Sequence, residues 1–361
     1  LTGKQDLVAG VSLAVPVFTL MIAFGDIFGL GGSSIISRLL GEKNETAAKK
    51  ASAFCIWTSI GFGLLVTLIL LLFRAPVLAL LGAKGTTYQH ASDYYTWIAI
   101  GSAAIIFGLV PSNILRTEGM AAQAMICSIL GSIINIVLDP MFIFVLNQGA
   151  AGAAIATLAS RIFCAVVVLW QLRLDRQPIV VKNYYQIRPD GKMIGRILSL
   201  GIPSGVENSM FQLGKLSIQS SVSTLGTIAI AAQAMTNILE NLNGIAAIGV
   251  GIGLMTVVGQ CLGAGRKDEA IYYIKKLSII AEIIIIASCL LVFALTIPIT
   301  KLGGMEPQSA QMCFHMVTWI TIVKPIVWVM AFVPAYGLRA AGDVKFSMLT
   351  SCITMWAFRF C

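Results

Sequence analysis

The stretch VPSNILRTEGM, residues 110–120, reappears as VPAYGLRAAGD at residues 333–343, an offset of 223. The match sets Pro111 against Pro334, Arg116 against Arg339 and Gly119 against Gly342. A second pair lies upstream of each: RLLGEKNETAAKK from Arg38 aligns with QCLGAGRKDEAIYYIKK from Gln260 at an offset of 222. Two loops that recur in the same order at the same spacing imply a duplicated fold, not a repeated short motif.

What is duplicated is set by composition. Of 361 residues, 57% are hydrophobic and only 11% charged, and the mean hydropathy is +0.88. A soluble domain carries about a quarter charged residues, so the chain is read as an all-α polytopic membrane protein. The 34 glycines suit that solvent, because membrane helices use small residues to bring backbones close where apolar burial no longer drives association. The net charge of +9 is scattered between apolar runs, which argues for topology and against nucleic acid as a partner. Eight cysteines form no CxxC pair and have no nearby histidine at ligand spacing, so disulfides and a metal site are not expected.

Apolar runs of spanning length fall at about 7–37, 51–73, 94–115, 122–146 and 150–173, and again at 194–222, 228–260, 271–298, 311–337 and 345–361. Between the two sets lies RLDRQPIVVKNYYQIRPDGK, the longest polar stretch. The expected organisation is an N-terminal lobe over 1–175, a cytoplasmic linker over 176–193 and a C-terminal lobe over 194–361. One set of alternate loops holds 17 Lys and Arg, the other 4, which places the first set and the linker in the cytoplasm. Matching loops then share a side, so the repeats are parallel, with a binding site expected where they meet near the midplane. Shifting 194–222 back and 150–173 forward by the repeat offset points to one further helix beyond each end, a parent of six plus six helices whose first and last are absent here and whose eleventh is cut short.

Charges inside such spans cost roughly 2.5–3.5 kcal/mol on insertion scales and mark function by default. Glu207, in LGIPSGVENSMFQLGK at 200–215, lies near mid-span and has no basic residue within one helical turn. It is either a carboxylate that exchanges a proton or cation with a ligand, or a structural group neutralised by Lys324 on another helix. Asp139 precedes Pro140, whose missing N–H frees a carbonyl, so it could hold a cation or merely cap the disturbed backbone. Asp26, in AFGDIFGLGG, also sits in an apolar run but is matched by Ile248 in the second repeat, which favours a local role. With Glu207 and Asp139 it completes the candidate cation-coupling set.

The candidate substrate cavity comprises Asn208, Met210, Gln212, Gln233, Met235, Asn237 and Glu240. Gln233, Asn237 and Glu240 recur at helical spacing on one face, too polar for lipid, so the stripe lines a cavity or bonds to other helices. The methionines form a pliable wall for varied ligands or ordinary packing. An intramembrane enzyme is disfavoured, since GIPSG is not the G-x-S-G of rhomboid proteases, HExxH is absent, and the two histidines, His90 and His315, lie toward the outer ends.

LGIPSGVEN at 200–208, GIGLMTVVGQCLGAGRKDEA at 251–270, LDPMFIF at 138–144, GAAGAAIAT at 149–157 and LRAAGD at 338–343 resemble, in order and across nearly the whole chain, the multidrug and toxic compound extrusion (MATE) family. LDPMFIF and GAAGAAIAT look most like its bacterial MepA/DinF branch. The resemblance implies two pseudo-symmetric six-helix lobes, residence as a monomer in a bacterial inner membrane, and alternating-access export of small organic cations or metabolites against sodium or protons, with no other cofactor. It implies that Glu207 matches the family's acidic residue in the seventh helix. It also admits a flippase for a lipid-linked precursor, from the same superfamily.

Overall fold

The computed structural model describes residues 2–80, 85–174, 191–223 and 225–360, which leaves all but the last three residues of the expected 176–193 linker outside the described residues. The chain runs through α1 (Thr2–Gly41), α2 (Glu45–Leu72), α3 (Arg74–Leu80), α4 (Gly85–Thr117), α5 (Ala121–Pro140), a π turn (Met141–Val145), α6 (Gly149–Gln171), α7 (Gly191–Ser223), α8 (Thr227–Gly263), α9 (Lys267–Leu302), α10 (Pro307–Ala341) and α11 (Val344–Phe360). All ten expected spans are helices, and the described residues form no strand. The eleventh helix, α3, occupies the short connection that carries Arg74. Among the described residues eight helices are long and apolar enough to cross a membrane, and they make the chain a multi-pass membrane protein. The other two long candidates differ for separate reasons: α11 is only 17 residues, and α7 is diluted by Lys192, Arg196, Glu207, Asn208, Gln212 and Lys215.

The solvent of these helices is written on their outer faces. Leu64, Leu68 and Leu72 form an i, i+4 stripe on α2 at 58%, 56% and 69% exposure. Trp319, Ile322, Ile326 and Met330, spaced by three and four residues, form a matching exposed stripe on α10. Such stripes are unfavourable in water and neutral in hydrocarbon. Polar side chains instead meet between helices: Thr67 and Ser102 hydroxyls lie 2.7 Å apart, and the Tyr95 hydroxyl donates to the Leu70 carbonyl at 2.8 Å.

The duplication is visible atom by atom in the loops. Gly119 and Gly342 both adopt φ +89°, a left-handed conformation that only glycine takes without strain. Around them the bonds repeat: Gly119 N–H to Arg116 and Met120 N–H to Leu115, against Gly342 N–H to Arg339 and Asp343 N–H to Leu338, all at 3.0–3.1 Å. This is the paired closure that satisfies the last carbonyls of a helix. The second pair agrees equally well. Lys43 (φ 57°) corresponds to Gly265 (φ 75°), and Asn44 and Arg266, which open α2 and α9, share φ −93°, ψ 72°. Asn44 adds a side-chain cap, its Oδ1 accepting from Ala47 N–H at 3.1 Å.

Packing divides the chain into two units, residues 1–209 and 210–361. In the first, α1, α2, α4, α5, α6 and the start of α7 enclose a core that includes Ile36, Phe54, Val110, Leu115, Val168 and Ile197. In the second, α8, α9 and α10 enclose Ala232, Leu239, Val292, Cys313 and Val317.

Candidate functional site

The first unit brings α1 and the start of α7 into backbone contact. Gly201 and Gly205 lie four residues apart on one face of α7, a small-xxx-small pattern. A Cβ on Gly201 would overlap the Ile27 carbonyl oxygen, and one on Gly205 would overlap the Ile27 side chain. From the other side, a Cβ on Gly31 would sit 2.7 Å from the Ile197 carbonyl oxygen and 2.8 Å from the Gly201 Cα. With no α7 side chain at Gly201 or Gly205 to hold the helices apart, residues one turn further along α7 are held directly against α1. There the Asn208 Nδ2 donates to the Asp26 Oδ2 at 3.2 Å. Glu207 is its neighbour on the same turn and is 8% exposed.

Helix α4 supplies the rest of the setting. The Asn113 amide fills the space above Gly29, the Ser33 hydroxyl donates to the Asn113 carbonyl at 3.4 Å, and Arg116 interacts electrostatically with Asp26. Asp26 therefore has a neutral amide donor and a cation as neighbours. Sequence reading did not single out Asn113, although VPSN places it inside an apolar run, nor the GIPSG glycines as a crossing point. Its candidates Asp26, Glu207 and Asn208 come together; Asp139 does not join them. Asp139 accepts from Asn135 Nδ2 at 3.3 Å and interacts with Tyr94. Gly25 meets Leu109, and Tyr94 lies 15 residues earlier on α4, about 22 Å of helix.

In the second unit Gln233 Nε2 donates to Asn237 Oδ1 at 3.4 Å, which places the polar stripe of α8 on one half-buried face. Glu240 continues that face; its backbone carbonyl accepts from Lys324 Nζ at 3.2 Å, and its carboxylate interacts with the same ammonium. Lys324 is thus engaged by Glu240. Met235 packs with Phe293, Ile299, Met305 and Met316 against the apolar core. Met210 and Gln212 are half-buried on α7.

One buried carboxylate escaped the sequence reading because it lies in the turn after α4, not in an apolar run. Glu118 is 9% exposed, and both carboxylate oxygens lack a hydrogen-bond partner among the described residues. Burial pushes its carboxyl up to about 8.

Compared with known proteins, the chain matches the MatE family model over residues 2–141 and 203–360. The multidrug export protein MepA of Staphylococcus aureus (strain NCTC 8325) is 29% identical over 227 residues, 63% of this chain and 50% of the relative. MepA of Staphylococcus haemolyticus is 27% identical over 344 residues, 94% of this chain and 75% of the relative. The match spans about half the length of the Staphylococcus aureus relatives. Among solved structures, an outward-facing multidrug resistance MATE family transporter of the MOP superfamily superposes with a TM-score of 0.90 at 23% identity, over 97% of this chain and 78% of that one. A MOP superfamily transporter from Pyrococcus furiosus with a binding pocket of reverse polarity gives 0.88 at 24% identity, over 96% of this chain and 77% of that one.

Proposed function

We propose, for a chain that belongs to the MatE family, that it works as a transporter and not an enzyme: a secondary active antiporter exporting small organic cations or metabolites in exchange for sodium or protons. The observation that carries this reading is the hydrogen bond between Asp26 and Asn208, with buried Glu207 beside it. Oxygen ligands of this kind suit a hard cation or a proton, and a carboxylate in a low-dielectric setting changes charge at a cost its ligand can offset.

In this proposal Glu207 alternates between ionised and neutral or ion-bound forms, so coupling ion and substrate compete for one carboxylate. Asp26 is the second anion of the site, oriented by Asn208 and balanced by Arg116. The glycine crossing holds α7 in register against α1, so that a change in charge at Glu207 is felt at Asp26 through the intervening amide. The Gln233, Asn237 and Glu240 stripe is the polar face offered to substrate in the second unit.

The test is energised efflux of a fluorescent organic cation from cells making the complete protein, with membrane levels measured in parallel. Glu207→Gln keeps the shape and removes the charge, and a neutral amide is cheaper to bury than an ion. The variant is expected at normal levels, with efflux reduced to the background of cells lacking the protein. Asp26→Asn should weaken efflux in the same direction. Undiminished gradient-driven efflux by Glu207→Gln would reduce that residue to a structural role.

A further inference from the structure

The second unit contains a cation cluster that the antiport reading does not use. Lys324 projects from the middle of α10 and is 8% exposed. One of its three N–H donors is spent on the Glu240 carbonyl, and its ammonium lies 5.6 Å from the centroid of the Trp328 ring. Trp328 stacks on Phe332 at 4.9 Å, and Phe332 meets Phe211 edge-on at 5.9 Å. The ammonium of the second lysine, Lys215 on α7, is 5.1 Å from the centroid of the Phe211 ring. Lys215 also acts electrostatically on Lys324, so the two ammonium groups share one neighbourhood. Three aromatic rings thus run from one lysine to the other.

The charges do not balance. Glu240 is the carboxylate that interacts with Lys324, and among the described residues no salt bridge involves Lys215. Two cations face one anion, in a place where each unpaired charge is costly. Beside the buried ammonium there is space for one methyl group. A Cβ built on Gly244, one turn after Glu240, would have Lys324 Nζ at 3.7 Å and the Ile248 side chain at 3.9 Å as its neighbours, ordinary contact distances. A purely structural lysine pair needs no like-charged neighbour. An anion carried on a flat or acyl body would meet both lysines and lie along the rings.

We propose that Lys215, Lys324 and the Phe211–Phe332–Trp328 wall form a binding site for an anionic group, carboxylate or phosphate, borne on an apolar body. The proposal goes beyond the antiport reading and does not rest on Glu207 or on any ion gradient. Charge-assisted hydrogen bonds to the lysines give the affinity for the anion, and the rings give the preference for an apolar carrier.

The experiment is equilibrium binding of tritiated 2-naphthoate to the complete protein in phosphatidylcholine nanodiscs, with no gradient present. Saturable binding is expected, with the neutral isostere 2-naphthamide competing at least about ten-fold less well than unlabelled 2-naphthoate. Lys215→Met and Lys324→Met should each weaken binding by at least about ten-fold, Lys215→Arg should retain it, and Glu207→Gln should leave it unchanged. Lys215 is half-buried, so its variant reports on binding even if the Lys324 variant folds poorly. Competition by short-chain phosphatidylglycerol but not phosphatidylcholine would identify a lipid headgroup as the anion and support the site, whereas inorganic phosphate competing as well as unlabelled 2-naphthoate would leave the aromatic wall without a role and overturn it. Equal competition by naphthamide, or unchanged naphthoate binding in Lys215→Met, would overturn it. Loss of efflux in Glu207→Gln with naphthoate binding intact separates this proposal from the coupling one.

Discussion

Glu118→Gln is predicted to stabilise the protein at alkaline pH and to flatten its pH dependence. The wild-type carboxyl is buried without a partner among the described residues and titrates at about 8 in place of its ordinary 4.5. Below pH 4.5 the folded and unfolded chains are both protonated here, and the group contributes no pH dependence. Between 4.5 and about 8 the unfolded chain gives up the proton while the folded chain keeps it, so stability falls as pH rises; above about 8 the loss is complete. At 1.36 kcal/mol per pH unit the interval amounts to on the order of 5 kcal/mol. A buried amide still leaves its own polar atoms unpaired, at about 1–3 kcal/mol, so the net gain at pH 8 is roughly 2–4 kcal/mol, and it falls by about 4 kcal/mol to zero or somewhat below at pH 5. Helical circular dichroism melts of both proteins in detergent at pH 5, 6.5 and 8 read the effect. The decisive quantity is the difference between the two proteins at each pH, since other groups titrate in both. A difference that stays constant from pH 5 to pH 8 would refute the reasoning.

The glycine crossing makes a second prediction: Gly201→Ala should cost at least about 1–3 kcal/mol by overpacking against backbone that cannot yield, whereas Gly195→Ala, with nothing within 4 Å, should be neutral or better. Paired thermal melts would show it, and equal melting of the two variants would contradict it. Lys43→Gly should stabilise by about 1 kcal/mol, because an L-residue at φ 57° pays for a left-handed conformation that Gly265 adopts freely in the matching turn; a lowered melting temperature would count against it. A cysteine placed at Asn183 in a cysteine-free background should resist an impermeant thiol reagent in intact cells, as the 17-to-4 distribution of basic residues demands. Labelling from outside would reverse the topology.

Sequence showed the helices and the duplication clearly, because apolar runs and the Gly119/Gly342 turns are local signals that tertiary context has little power to override. It also named Asp26, Glu207 and Asn208, each a polar residue stranded in an apolar run. It did not show which of them meet. Asp26 and Asn208 are 182 positions apart, and their pairing depends on a helix crossing set by Gly201, Gly205 and Gly31. Asp139 carried the same signal but sits at a different level of the bundle, a fact fixed by the length of α4. Glu118 was illegible for the opposite reason: a glutamate beside a turn glycine looks solvated until neighbouring helices cover it.

That α7 belongs to the first unit up to Ser209 and to the second from Met210 has a practical meaning for anyone dividing the protein. A split at the polar 175–190 stretch, where chain composition invites the cut, would produce an N-terminal fragment stripped of the helix that seals Gly31 and Ile27. Its exposed glycine face would be free to pair with another copy of itself. A separately expressed N-terminal half therefore needs its C-terminal boundary after Ser209, and co-expressed halves cut at the linker should reassociate through this groove before either one is stable alone.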